Sequence, residues 1–244
     1  MEQSFEQLKM FLNSRDVTLV AVTKTRIPQE VLKIYEQGHR VFGENKAQEL
    51  SEKFEALPKD IEWHLIGHLQ TNKVKTVIPL VTLIHSVDSW RLLDEIEKQS
   101  AQLNRITEIL IQVHIAAEET KYGLSIEDAR KMLADDHLEV YRNVRIRGLM
   151  GIASLTDNQD QVRQEFKRLK VFYDEVRLKL MNVSSMSDIT TSWILALDTF
   201  NILSMGMSDD YQMAIEEGST LVRIGRAIFG ERNYPISSME HHDG

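Results

Sequence analysis

The sequence predicts an α/β fold: a single (β/α)8 TIM barrel with an extra amino-terminal helix. Eight short apolar runs, rich in Val, Ile and Leu, are each followed by a helical pattern or by the end of the chain. Such runs are typical of parallel strands buried on both faces. A length of 244 residues suits one closed barrel, and no linker or change in composition marks a boundary. We therefore predict one domain over residues 1–244, with an ordered core at about 2–234 and a surface tail at 235–244.

The strands and the first helix are predicted from periodicity. Phe5, Leu8, Phe11 and Leu12 recur at helical spacing, which predicts an amphipathic helix over residues 2–13. The predicted strands are 17–25, 40–42, 61–66, 81–85, 108–115, 144–152, 201–205 and 221–224.

Capping and turn residues place the helices between these strands. Pro28 suits the first turn of a helix that Gly38 can end in a left-handed conformation. Asp88 or Ser89, and later Ser125, are suitable N-caps for two further helices. Other helices are predicted between residues 45 and 58, over 72–77, over 209–217, and where apolar residues stand at 162, 166, 169, 173, 176 and 180. Residues 182–196 carry no pattern that predicts an element.

Composition excludes several classes of function. The net charge is −8, so the chain has no field to attract nucleic acid, and no nucleic-acid partner is expected. There is no cysteine, which excludes disulfides, thiolate metal sites and a cysteine nucleophile. No segment reaches the ~18 apolar residues of a membrane span, and residues 1–13 carry charges that a signal peptide lacks. We expect a cytoplasmic protein without a membrane partner.

Lys24 is the first candidate functional residue, because it closes the first buried run. The carboxyl ends of barrel strands are where such folds keep their chemistry. Desolvation there would lower the pKa of the ammonium group and make the amine a usable nucleophile. The alternative is a lysine whose stem covers the rim while its head reaches water.

A candidate phosphate site follows the seventh and eighth strands. Gly206 and Gly225 would let the backbone approach a ligand closely, while Ser204 and Ser208 offer hydroxyl donors. Ser208, followed by two aspartates, is also a good helix start, which is the alternative interpretation. Together with Lys24 on the first strand, a phosphate cradle at the same barrel mouth suits pyridoxal 5′-phosphate.

Six motifs stand in order between the first strand and residue 234: Ala21–Thr25, Phe42–Asn45, Trp63–Lys73, Arg147–Met150, Leu203–Asp210 and Gly218–Gly230. Together they resemble the pyridoxal phosphate homeostasis protein family (YggS/PROSC type). The resemblance implies a barrel similar to the amino-terminal domain of alanine racemase, known as fold type III of the pyridoxal phosphate proteins.

The resemblance also implies roles for particular residues. It makes Lys24 the Schiff-base lysine and places Arg223 against the pyridine nitrogen. The other implied cofactor-binding residues are Asn45 and Met207 at the ring and Ser204, Gly206, Ser208, Gly225 and Arg226 at the phosphate. Two positions depart from the family pattern: Arg226 stands where Thr or Ser is usual, and His114 where Asn is common. No residue is assured a catalytic role.

The implied function is intracellular homeostasis of the cofactor: binding, buffering and delivery to apo-enzymes, with other B6 vitamers as further ligands and a monomeric protein. An arginine beside the pyridine nitrogen disfavours its protonation, which weakens the ring as an electron sink. Racemisation also needs a base on each face, and Lys24 supplies one; racemases take the other from a second domain, which is not expected here. The alternatives are a low-activity pyridoxal phosphate-dependent amino acid racemase or isomerase, and a lyase that uses Lys24 without a cofactor.

Four other residues are candidates for chemistry. His64 and His68 resemble a metal pair, but in an extended segment they lie roughly 13 Å apart, so no metal site is expected. Glu44 is either an acid or base beside Lys24 or, as we predict, a solvated loop carboxylate. Lys121 can approach the mouth, although a surface lysine is the preferred interpretation.

Overall fold

The computed structural model describes residues 4–118, 122–185 and 194–231, and it confirms the predicted barrel. Eight parallel strands follow one another in sequence order, and the first pairs with the eighth to close the barrel. The strands are β1 Thr18–Val22, β2 Val41–Glu44, β3 Glu62–Leu65, β4 Leu83–Val87, β5 Thr107–Val113, β6 Val144–Gly151, β7 Ile202–Ser204 and β8 Leu221–Ile224.

Nine α-helices are present in the described part of the chain. They are α1 Phe5–Asn13, α2 Pro28–Tyr35, α3 Ala47–Ala56, α4 Val74–Val77, α5 Trp90–Gln102, α6 Ile126–Leu133, α7 Gln159–Ser185, α8 Tyr211–Glu216 and α9 Arg226–Phe229. Two 3₁₀ segments, Thr71–Lys73 and Asp136–Val140, complete the set. The second of these segments and α9 were not predicted. The predicted tail at 235–244 lies outside the described residues.

Local capping explains why several helices begin where the sequence places them. The hydroxyls of Ser89 and Ser125 accept the amides of Leu92 and Asp128, three residues on, at 3.4 and 3.0 Å. Past the end of α2, Gly38 has φ of +82°, as its predicted role requires. The start of α8 is different from the prediction: it begins at Tyr211, two residues later than expected.

The fourth strand is also displaced from its predicted position. We predicted 81–85, but β4 runs from Leu83 to Val87 and all five of its residues are buried. The predicted strand ended at His85, because the polar Ser86 interrupts the apolar pattern before Val87. His85 faces the barrel interior, and its partners are described with the site.

The core has two layers and a cap. Inside the barrel, apolar side chains from several strands pack together: Val20, Val22, Ile66, Leu83, Leu110, Met150 and Leu221. A larger cluster fills the space between the strands and the surrounding helices. The extra helix α1 buries Leu8 and Leu12 against Leu19 of β1 and Val222 of β8. Each such leucine contributes about 1.5–3 kcal/mol when fully buried, so α1 is an integral part of the fold.

The longest helix, α7, has 27 residues and is amphipathic. Neither it nor any other helix in the described ranges combines the length and the apolar character needed to cross a membrane.

Candidate functional site

A cavity of about 550 Å³ opens at the carboxyl ends of the strands. Its volume lies in the range of small-molecule sites. Seven of the nine residues predicted to bind a cofactor line it: Lys24, Asn45, Met207, Ser208, Arg223, Gly225 and Arg226. They come from the ends of β1, β2, β7 and β8, so the barrel brings together positions that are as far as 202 residues apart in the chain.

Arg223 is the buried cation of the site. Its side chain projects from β8 and is 3% exposed. One terminal nitrogen donates to the Ser204 hydroxyl at 2.6 Å and the other to the Gly151 carbonyl at 2.9 Å. Burial lowers the pKa of Arg223 to about 10, an effect that the Asp210 carboxylate opposes. The guanidinium group therefore stays charged at neutral pH, and its orientation is fixed.

A chain of buried hydrogen bonds continues from Arg223 through the barrel interior. The Ser204 hydroxyl lies 3.0 Å from Nδ1 of His85, and Nε2 of His85 lies 3.0 Å from Nδ1 of His64. Because a guanidinium group can only donate, Ser204 accepts from Arg223, and its own proton is available for Nδ1 of His85. When Ser204 donates in this way, His85 carries its proton on Nε2 and donates to His64.

Both histidines in this series of hydrogen bonds, His64 and His85, are neutral. Burial lowers the pKa of His64 to about 3 and that of His85 well below its ordinary value, and the neighbouring His64 and Arg223 lower the latter further. This arrangement is not apparent in the sequence, because the spacing of four residues pairs His64 with His68, whereas His85 lies 21 residues away. Strand alternation could have placed both His64 and His85 inside the barrel, but it could not pair them.

Ser204 and Gly206 stand apart from the other predicted site residues, because neither lines the cavity. Ser204 is fully buried and its hydroxyl is engaged by Arg223 and His85, which favours a supporting role over direct phosphate binding. Gly206 has φ of +96°, and a Cβ there would lie 2.6 Å from the Cβ of Ala214. It lets the loop after β7 pack on α8 while its carbonyl accepts the Arg223 amide at 3.0 Å.

Ser208 faces the start of α9 rather than starting α8. Its hydroxyl lies 3.3 Å from the amide of Gly225 and 3.4 Å from that of Ala227, and it accepts from both. The predicted alternative, in which Ser208 begins the next helix, is wrong: Asp210 holds that position and accepts the amide of Met207 at 2.5 Å. The Ser208 hydroxyl and the two backbone amides that donate to it thus lie together at one end of the cavity.

Close backbone approach at this end depends on Gly225, where a Cβ would lie 3.1 Å from the Val22 carbonyl. The side chain of Arg226 is half exposed and pairs with Asp209; its Nε lies 3.5 Å from a carboxylate oxygen of Glu231. The cavity therefore has a buried arginine at its floor and a solvent-accessible one at its mouth.

Glu44, which we predicted to be a solvated loop carboxylate, is 0% exposed. It ends β2 and lies beneath α3, where Lys53 pairs with it and the Thr23 hydroxyl donates to it at 2.5 Å. Burial raises the pKa of Glu44, an effect that the Lys53 ammonium group partly offsets. Its neighbour Asn45 lines the cavity. At the end of β2, Asn45 therefore belongs to the site, whereas Glu44 belongs to the helix layer behind it.

The remaining candidates make separate contacts. His68 stacks on Tyr122 with ring centroids 4.0 Å apart, and its Nδ1 lies 3.7 Å from Asp88. Over residues 4–118, 122–185 and 194–231, no group of three or more His, Asp or Glu side chains could hold a metal ion. His114 lies 2.8 Å from the carbonyl of Glu118, and Lys121 lies outside the described residues.

Comparison with known proteins gives a consistent family. The sequence profile of the alanine racemase N-terminal domain matches residues 1–206. A pyridoxal phosphate homeostasis protein of Aquifex aeolicus is 40% identical over 217 residues, which cover 88% of this chain and 87% of the relative. One from Haemophilus influenzae is 36% identical over 228 residues, or 92% of this chain and 89% of the relative. Among solved structures, PipY of Synechococcus elongatus with pyridoxal phosphate bound is 32% identical, with a TM-score of 0.76 over 92% of this chain and 99% of PipY.

Proposed function

This chain belongs to the pyridoxal phosphate homeostasis protein family, and on that premise we propose that it binds pyridoxal 5′-phosphate through a Schiff base on Lys24. The observation that carries the proposal is the single cavity where Lys24, the buried cation of Arg223 and the donors around Ser208 meet. These three groups match the aldehyde, the pyridine nitrogen and the phosphate of that cofactor.

Each part of the cofactor has a suitable partner in the cavity. The phosphate would be held by the Ser208 hydroxyl and by the amides of Gly225 and Arg226. Arg223 would face the pyridine nitrogen from the floor, while Asn45 and Met207 would border the ring. The amides of Gly225 and Ala227 already converge on one oxygen, that of Ser208, which supports an anion site there.

The chain's own residues favour binding and release over efficient catalysis. Pyridoxal phosphate supplies an aldehyde, which an amine captures reversibly with loss of water. Arg223 presents a fixed positive charge, so it disfavours a proton on the nitrogen it faces and leaves the ring a weak electron sink. The cavity carboxylates Asp209 and Glu231 both lie at the mouth, where each is paired with Arg226. We infer a carrier that buffers the cofactor and delivers it to apo-enzymes.

The link to Lys24 can be tested by trapping. The purified protein is mixed with pyridoxal phosphate and reduced with borohydride, and the modified lysine is located by peptide mass spectrometry. We expect a visible absorbance band and a pyridoxyl group on Lys24, both lost in Lys24→Ala and both kept in Lys46→Ala. Lys46 is the matched control, since its side chain is 77% exposed and lies outside the cavity lining. Equal trapping in Lys24→Ala and wild type would refute the assignment.

Delivery needs its own measurement. The loaded protein and an equal concentration of free cofactor are each offered to an apo-enzyme, and the recovery of its activity is followed with a scavenger for free cofactor present. A carrier restores activity under conditions in which the scavenger suppresses the free cofactor. If the apo-enzyme recovers equally with the loaded protein and with the free cofactor, the protein only buffers the cofactor. Loss of optical rotation from L-amino acids incubated with the loaded protein would instead support a racemase.

A further inference from the structure

The two peptide groups that flank Lys24 are both bonded to side chains of α3. The ammonium group of Lys53 donates to the carbonyl of Thr23 at 2.6 Å, and Glu49 accepts the amide of Thr25 at 2.9 Å. Glu49 and Lys53 stand four residues apart, so they lie on the same face of α3, one turn from each other. Neither side chain lines the cavity.

The backbone between these two contacts is strained. Thr25 has φ of +65°, a left-handed conformation that is uncommon for any residue except glycine and least favourable for β-branched ones. Such a conformation persists only where its surroundings hold it. Two hydrogen bonds hold it here: the Arg26 amide donates to the Thr23 carbonyl across the turn at 2.9 Å, and the Thr25 amide donates to Glu49.

Thr23, the residue before Lys24, is fixed by more contacts than Thr25. Thr23 is fully buried; its amide donates to the Gly43 carbonyl at 3.0 Å and its hydroxyl to Glu44 at 2.5 Å. Lys53, which bonds its carbonyl, is 5% exposed and is itself paired with Glu44. A buried ion pair of this kind is a rigid attachment point, because separating Lys53 from Glu44 would leave both charges buried without a partner.

We propose that Glu49 and Lys53 are positioning residues for Lys24: they fix the backbone on either side of it, so that its amine enters the cavity in one direction. The proposal deepens the proposed function and rests on it. We call Glu49 and Lys53 together the clamp. A nucleophile misplaced by about 1 Å can lose about a hundredfold in rate, so the clamp would have a measurable effect on the reaction of Lys24. The clamp acts from behind the strand end and needs no contact with the ligand.

Glu49 is the better position to test, because Lys53 cannot be removed without leaving Glu44 unpaired in the interior. Glu49→Ala removes the acceptor for the Thr25 amide. Glu49→Gln keeps a carbonyl oxygen at the same reach and loses only the charge. Glu52→Ala is the matched control: it also removes a carboxylate from α3, but from its exposed face.

The first measurement needs no cofactor. Hydrogen exchange of the Thr25 amide is followed by NMR in the protein without pyridoxal phosphate. Because a hydrogen bond to a charged group is lost, we expect exchange about tenfold to a hundredfold faster in Glu49→Ala. Glu49→Gln should restore most of the protection, and Glu52→Ala should leave the amide as in wild type.

The second measurement is the initial rate of borohydride-trapped modification of Lys24 at limiting pyridoxal phosphate. We expect about a tenfold decrease in Glu49→Ala and recovery to within about threefold in Glu49→Gln, with circular dichroism unchanged in all variants. A merely structural role would lower the melting temperature without slowing the modification of folded protein.

The outcomes separate the two proposals. If wild type is not modified at Lys24, the proposed function fails. Hydrogen exchange of the Thr25 amide still tests whether Glu49 holds the backbone. If wild type is modified and Glu49→Ala matches it in rate and in exchange, the clamp is refuted. It is also refuted if Glu49→Gln fails as badly as Glu49→Ala, or if Glu52→Ala has the same effect.

Discussion

Replacing Lys53 by methionine tests how far the interior depends on one ammonium group. Glu44 is 0% exposed, one of its oxygens contacts Lys53 and Thr23, and the other has no hydrogen-bond partner within the described residues. Without Lys53, the folded protein must bury an unpaired carboxylate or protonate it. Protonating a glutamate of ordinary pKa at pH 7 costs about 3.7 kcal/mol, at about 1.36 kcal/mol per pH unit. We therefore expect Lys53→Met to lower the free energy of unfolding by about 3–4 kcal/mol, a large share of the 5–15 kcal/mol typical of a domain.

The loss should depend on pH, and its sign follows from Glu44. Burial already raises the pKa of Glu44 beside Lys53, and removing the ammonium group raises it further. A group whose pKa is higher in the folded state stabilises fully below its unfolded pKa, and that stability is lost as pH rises through the folded pKa. The deficit of Lys53→Met should therefore shrink by about 1.4 kcal/mol per unit as the pH falls from 7 toward 5.

Urea unfolding followed by circular dichroism at several pH values provides the measurement. The double variant Glu44→Leu/Lys53→Met should recover most of the loss, because apolar side chains then replace both buried charges. Lys59→Met is the control: Lys59 pairs with Glu55 on the surface, and its loss should change stability by no more than about 0.5 kcal/mol. A deficit for Lys53→Met below about 1 kcal/mol at pH 7, or one that is equal at pH 5, would refute this reasoning.

Two further predictions concern the arginines. Ser204→Ala removes one hydrogen-bond partner from each of the buried side chains Arg223 and His85, and should lower the free energy of unfolding by about 1–3 kcal/mol in urea titrations. A neutral result would mean that the hydrogen bonds through Ser204 do not anchor Arg223. Arg226→Thr, which removes the half-exposed partner of Asp209, should change stability by less than about 1 kcal/mol yet weaken pyridoxal phosphate binding about threefold to tenfold at low salt. The weakening should fade as salt is added, and an equal loss for unphosphorylated pyridoxal would contradict it.

What the sequence predicts well is whatever depends on neighbours along the chain. Lys24 is found because a buried strand ends just before it, and the phosphate end because glycine and serine follow two late strands. Gly38 and Ser125 are placed by capping rules that act within one turn. These positions can be predicted without knowing which helices and strands are in contact.

What escapes the sequence depends on contacts between distant segments. Glu44 looks like a loop carboxylate until Lys53, nine residues on, is seen to reach it from α3. His64 and His85 form a pair only because β3 and β4 lie side by side, and a search for metal ligands pairs His64 with His68 instead. Burial of a polar group cannot be predicted without its partner, since alone it would be too costly.

Arg223 and Arg226, two of the three arginines that line the cavity, have different supports, and the difference favours a site that binds firmly and releases readily. Arg223 is buried, and its direction is fixed by hydrogen bonds to Ser204 and to the Gly151 carbonyl within the protein. Arg226 stands at the mouth, where its partner Asp209 is exposed to salt and to competing anions. An anion that enters can exchange places with Asp209 at little cost, because exposed ion pairs contribute about 0–1 kcal/mol. If the chain acts as the proposed carrier, the floor would set which ring is accepted and the mouth would set how easily the phosphate leaves.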